Sequence, residues 1–243
     1  MEGQIFWKGS GILSIRRISA IFEKDIKDLM KNAELLVMLT APILLTLLLN
    51  RSTNGKITIP ILYMVIGGIF TLVASGTIMT MMAEEKEKKT LRGLIQSPAL
   101  LLDIIIGKSL VTLIGTLITL TVSLLIMGIG PLMNFRAALG LIMLFLFFLL
   151  IGISMGLFTN SLASVSVYLI LLTFLFGFTP LISTLGSLDK GSIAVKIIDK
   201  FPIVQAMAIH KTSSWQPCGI MAIWVTGAAI ITYVCFRKAM TDN

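Results

Sequence analysis

The side chains able to do chemistry in this 243-residue sequence are few and stand apart. His210 is the sole histidine, with Lys211 beside it and no acid within helical reach, so neither a metal site nor a nucleophilic triad has partners there. It reads as a surface or headgroup-level residue. Gly107-Lys108-Ser109 resembles the end of a phosphate-binding loop, but that loop requires G-x-x-x-x-G-K-[ST], and Leu102 occupies the place of its first glycine. The chain therefore carries no ATPase motif of its own and is not expected to be an enzyme. Cys218 and Cys235 lie near opposite ends of one apolar run, roughly 25 Å apart at helical rise, too far for a disulfide, and read as small apolar residues. Asp103 and Lys108 sit inside an apolar run, where an ionisable residue is a functional candidate by default. Five residues apart, they fall off one another's face. They lie so close to the membrane boundary that both read as topology signals, with Lys108 snorkelling to the headgroups.

Seven charged residues stand together in the stretch AEEKEKKTLRGLIQSPA, residues 83–99, which separates two long apolar runs. Glu84 and Lys88, and Glu85 and Lys89, are spaced four apart with the acid first, the favourable order on a helix. The apolar run before them is thus expected to continue as a charged helical stalk. Leu91, Leu94 and Ile95 then share one face of a short turn, and Pro98 disfavours helix at Ser97. Leucines exposed in water on such a knob call for a partner groove. The chemistry of this stretch is mechanical: it is shaped to be gripped.

What must position it is a membrane bundle. Hydrophobic residues make up 56% of the chain and charged residues 13%, with a mean hydropathy of +0.96, far from the composition of a soluble domain. The net charge of +8 is scattered among loops, without the aromatic-laced basic stripe of a nucleic-acid surface, and basic loops beside a bilayer are expected. An all-α, polytopic fold with six transmembrane helices is predicted, with spans at about 35–49, 60–82, 100–129, 137–158, 162–178 and 218–236. The first is short, so it tilts little or borrows length from the helix before it. Residues 1–32 form a separate N-terminal segment and 33–243 the spanning domain. Within the former, Ile15, Ile18, Phe22, Leu29 and Met30 recur at helical spacing while Arg16, Arg17, Glu23, Lys24, Lys27 and Lys31 fill much of the remaining face, the pattern of a helix lying in the interface apolar side down. The first apolar run begins only after some thirty mixed residues, so no cleaved leader is expected.

Lysines and arginines are in excess in the segment before the first span, between spans two and three and after span six, which puts both termini and residues 83–99 in the cytoplasm. Residues 179–216 then fall outside but stay apolar and are broken by Pro180, Gly186, Gly191 and Pro202, a pattern suited to short helices dipping into the outer leaflet rather than to a surface loop. Gly152 and Gly156 form a GxxxG, open to a dimer contact or to packing within the bundle. Methionine and phenylalanine, fourteen and thirteen of them, give adaptable apolar walls.

Glu85-Lys86-Glu87, Thr90-Leu91, Leu94-Ile95 and Ser97-Pro98 resemble the coupling-helix signature of ABC type-2 exporter permeases, whose usual form is E-K-E-x-G-T-L-E-x-L-L-x-S-P. The run from Leu102 to Gly107-Lys108 and the segment from Phe201-Pro202 to Ile209 are similar to later parts of the same family, and the six-span layout with an amphipathic elbow in front covers most of the chain. Two positions depart: Lys89 stands for the usual glycine and Arg92 for the usual glutamate, so the knob is more basic than the pattern and its partner groove correspondingly more acidic.

The resemblance implies the permease subunit of an ATP-driven exporter in the cell's inner or plasma membrane. Glu84, Glu85, Glu87, Lys89, Thr90, Leu91, Arg92, Leu94, Ile95, Ser97 and Pro98 would couple it to a separate ABC ATP-binding subunit, and ATP and magnesium would be bound by that partner, this chain holding no cofactor or metal. A second permease, identical or related, would complete the path, and the cargo would be amphipathic or hydrophobic: an antimicrobial peptide, a drug or a lipid-like molecule. Other readings stay open on the residues alone. A stand-alone membrane protein, either a toxin-binding self-protection protein or an intramembrane enzyme, lacks a use for the knob or the paired acids and histidines it needs. Export of a polysaccharide or lipid-linked polymer would favour aromatics along the path, of which Trp and Tyr supply three each.

Overall fold

A computed structural model describes residues 15–88, 101–128, 134–184, 193–212 and 214–241, and among these every regular element is helical. The elements are α1 (Ile15–Lys31), α2 (Ala33–Ser52), α3 (Ile59–Ile69), a π-helical turn (Phe70–Gly76), α4 (Thr77–Glu87), α5 (Leu101–Met127), α6 (Phe135–Phe158), α7 (Leu162–Leu172), a second π-helical turn (Thr173–Gly177), α8 (Thr179–Thr184), α9 (Ile193–Ile198), α10 (Pro202–Lys211) and α11 (Gln216–Thr241). Six stretches are long and apolar enough to cross a membrane: Ala33–Ser52, Ile59–Glu87, Leu102–Met127, Phe135–Phe158, Leu162–Leu181 and Gln216–Ala239. This is a multi-pass membrane architecture. Helices are the form that satisfies every backbone polar group where lipid offers none.

The first span is twenty residues, not the short stretch its apolar core suggests. Asn32 accounts for the added length at its start, accepting the Glu34 N–H on Oδ1 at 2.9 Å and so capping α2. At the other end the helix simply runs on through Arg51 and Ser52. Pro42 lies inside α2 and leaves its ring without an N–H to donate, while Thr46 donates to its carbonyl at 2.7 Å.

Ile59–Glu87 is the axis of the bundle: 89% of its apolar window is buried, against 17% for the last span. It packs against α6 on one side and α2 and α5 on another. Close approach to α6 depends on glycine. A Cβ at Gly152 would lie 2.7 Å from Ser75 Cα, and one at Gly156 would lie 2.9 Å from Met82 Sδ. The GxxxG therefore serves packing within the chain. Beside it, Ser75 donates to the Phe148 carbonyl at 2.6 Å. The π-helical turns were not foreseeable from apolar periodicity. At the first turn Thr71 donates to Gly67 O at 2.8 Å and Thr77 to Val73 O, whereas in the second the buried Thr173 hydroxyl has no hydrogen-bond partner among the described residues.

Of the broken segment after the fifth span, α10 is a core element rather than a covering loop: Ile203, Val204, Ala206, Met207 and Ile209 are buried against α3, α6 and α11. An aromatic cluster of Phe147, Phe176, Phe201 and Trp224 closes this end, with ring centroids 5.4–6.1 Å apart. Trp224 Nε1 donates to Lys200 O at 2.7 Å. His210 is half-buried with its ring 5.8 Å from that of Tyr63, so it faces the α3–α10 contact rather than the surface.

At the opposite end α1 lies on α5. Its inward face is Ile21, Asp25 and Leu29; of the expected stripe of Ile15, Ile18, Phe22, Leu29 and Met30, Leu29 is buried while Ile15 and Met30 are 85% and 66% exposed. Ile21 enters the space over Gly107, where a Cβ would sit 2.7 Å from Ile21 Cγ2.

Candidate functional site

The last turns of the second span, Glu84 to Glu87, are held by a different neighbour at every residue. Glu84 Oε2 accepts from Asn32 Nδ2 at 3.1 Å and its Oε1 from Lys88 Nζ at 2.7 Å. The Glu84–Lys88 pair is the expected four-residue bridge. Glu85 Oε1 meets Lys24 Nζ at 2.7 Å and Lys108 Nζ at 3.0 Å. Lys86 donates to the Leu157 carbonyl at the end of α6. Glu87 Oε2 accepts the Leu162 N–H at 3.0 Å and so supplies a cap for the first turn of α7. One helix end is socketed into α1, α2, α5, α6 and α7 together.

The centre of the socket is a buried ion cluster. Lys108 is 1% exposed, so it does not snorkel to the headgroups. Its ammonium lies 3.1 Å from Asp25 Oδ2 as well as 3.0 Å from Glu85 Oε1. Lys24 flanks both acids, at 3.6 Å from Asp25 Oδ1 and 2.7 Å from Glu85. Lys24 and Lys108 balance Asp25 and Glu85, which is what permits charge at this depth. Asp103 Oδ2, wholly buried, accepts from Arg17 Nε at 2.8 Å and makes a second tie between α1 and α5. Neither Asp103 nor Lys108 is therefore a bare topology signal: both fasten α1.

Burial pushes the Asp25 carboxyl above its ordinary value, Lys108 opposing this and Glu85 adding to it. For Lys24, burial disfavours the charge, but the hydrogen bond and attraction of Glu85, joined by Asp25 and Asp28, outweigh it and raise the ammonium's value. On the solvent side a cleft of about 490 Å³ opens between α1, the start of α2 and the end of α4, lined by Lys24, Lys31 and Lys88 and by Asp28, Glu84 and Glu85. Among the described residues no group of three His, Cys, Asp or Glu is placed to hold a metal.

Of the residues expected to contact a partner, Glu84, Glu85 and Glu87 are placed at this socket. Lys89, Thr90, Leu91, Arg92, Leu94, Ile95, Ser97 and Pro98 lie outside the described residues, as does the predicted Glu85–Lys89 bridge. The sequence reading missed Lys24, Asp25, Asn32 and Lys108 as site members. The available signal was Asp25 standing four residues from both Ile21 and Leu29, an acid on the inward line of an amphipathic helix that needs a buried cation. Cys218 and Cys235 are both free thiols, half-buried and buried. No family model matches the chain, and no curated protein or solved structure is found similar to it.

Proposed function

We propose that this chain is the membrane-spanning permease subunit of an ATP-driven exporter, worked through residues 83–99 by a separate ATP-binding subunit. The observation that supports the reading best is the socket: a charged helix end, continuous with the most buried span, tied to five other helices at the root of the segment whose residues resemble a coupling helix. A push delivered there has a direct line into the bundle. In this reading α1 is the elbow, residues 89–98 form the coupling helix, and α8 to α10 form re-entrant pieces on the outer side. Both termini and the socket are cytoplasmic in the cell's inner or plasma membrane. The cargo is amphipathic or hydrophobic and passes between this permease and a second copy or a related chain. ATP and magnesium belong to the partner.

The test is purification of the tagged chain from its native membrane under mild detergent. The reading expects an ATP-binding subunit to accompany it, and ATPase activity that disappears with Leu94→Asp while membrane insertion persists. A chain that purifies without any nucleotide-binding partner, and a Leu94→Asp variant with unaltered activity, would count against it.

A further inference from the structure

Lys108 occupies an unusual place in the connectivity. It lies on α5, the helix that follows residues 89–100, while its partner Glu85 lies on α4, the helix that precedes them. Its other partner, Asp25, lies on α1. One buried ammonium therefore joins both roots of the proposed coupling segment to each other and to the helix in front of the first span. We propose that Lys108 is a positioning residue that makes α1 and the ends of α4 and α5 one moving part. This rests on the exporter reading for its purpose but not for its geometry.

A cation buried in an apolar bundle is costlier than a methionine of similar volume, so packing alone does not explain it. What charge adds is register. An apolar residue would tolerate α1 sliding along α5, whereas a shift of one turn would strand Asp25 and Lys108 without each other inside the bundle. Ile21 fixes the same register sterically, because it fills the space over Gly107, next in sequence to Lys108. Among the described residues the Arg17–Asp103 pair joins α1 to α5 and not to α4, and so serves as the comparison. A displacement of the α4 end reaches α1 directly through Glu85 and Lys24; Lys108, which also meets Asp25, carries α5 along with them, so the two roots do not splay. The signal then reaches α2 through Asn32, which bonds Glu84 and caps that helix.

The experiment uses the full chain in lipid nanodiscs with Cys218→Ala and Cys235→Ala, spin labels at Ser19→Cys on α1 and Lys88→Cys beyond α4, and a pulsed electron-resonance distance measurement. With Lys108 present, a single narrow distance is expected. Lys108→Met should broaden or shift it by about one helical turn, 5.4 Å. Lys108→Arg should restore it and Arg17→Gln should leave it narrow. An unchanged distribution in Lys108→Met, or equal broadening in Arg17→Gln, would overturn the proposal. If Lys108→Met fails to insert, Lys108→Gln carries the test, since it removes the ammonium and leaves the direct Lys24–Glu85 pair in place: broadening sustains the proposal and a narrow distance overturns it. No ATP-binding partner is present in this measurement, so its failure and the failure of the exporter reading are told apart.

Discussion

Lys108 Nζ stands 3.0 Å from Glu85 Oε1, bridging the helices on either side of residues 89–100, with the lysine side chain closed off from solvent. The two residues are twenty-three positions apart in sequence and belong to different spans. Their contact converts a pair of membrane crossings into a clamped hairpin, and α1 is drawn into the clamp by Asp25 at 3.1 Å.

Removing Lys108 should be expensive and its cost should depend on pH. Lys108→Met leaves Asp25 and Glu85 close together with Lys24 as their shared cation, and breaking a buried pair in this way costs about 3–5 kcal/mol. Asp25 already titrates above its ordinary value of 3.8. A raised carboxyl value means the folded state binds the proton more tightly than the unfolded one, so stability falls as pH rises from the unfolded value through the folded one. Loss of the opposing Lys108 charge widens that window upward. Thermal unfolding in detergent should therefore show Lys108→Met worst at neutral pH and partly recovered on acidification; a deficit independent of pH would contradict this.

Gly152 of α6 should respond differently from Gly227 of α11. Gly152→Ala forces a Cβ to within 2.7 Å of Ser75 Cα and 2.9 Å of Ser75 O, backbone that cannot swing aside, and overpacking of this kind costs about 1–3 kcal/mol. Gly227→Ala meets nothing within 4 Å and should be neutral or slightly stabilising. Melting temperatures of the two variants check the contrast.

The orientation is open to labelling in cells. In a background without Cys218 and Cys235, a membrane-impermeant thiol reagent should modify Lys56→Cys in intact cells but reach Lys88→Cys only after permeabilisation, because the two exposed positions lie at opposite ends of the second span. Labelling of Lys88→Cys in intact cells would reverse the bundle and put the socket out of reach of a cytoplasmic ATPase.

The basic departures at Lys89 and Arg92 should act through charge. Lys89→Glu with Arg92→Glu should weaken association with the ATP-binding partner, and salt should shrink the difference between variant and native chains, since charge steering towards a docking surface is screened beyond about 8 Å at physiological ionic strength. A pull-down indifferent to both substitutions would make these residues incidental to docking.

The six crossings were legible because each needs only about twenty apolar residues, a local property. Helix ends were less so: α2 starts at Ala33 because Asn32 caps it, and the second span carries Met81, Met82 and Ala83 in the core although charge follows at once. The Glu84–Lys88 bridge was readable from spacing within one helix, whereas Glu85 looks outward and turns inward. Its partners come from α1 and α5, and sequence spacing does not record which helices meet. Lys108 misled for the same reason, since a lysine near a membrane boundary snorkels unless an acid from elsewhere reaches it first. The glycines at 152 and 156 announced a close contact without naming the surface that fills it.

The π-helical turn at Phe70–Gly76 sets a condition on heredity as much as on shape. Everything beyond it, including Glu84, Glu85, Lys86 and Glu87, takes its compass bearing from the number of residues wound through that turn. Inserting or deleting one there would swing each of the four by about 100° away from its own neighbour. Substitutions within the stretch are local injuries, but a change in its count would misdirect the whole lower half of the span at once, so its length should prove far less negotiable than its spelling.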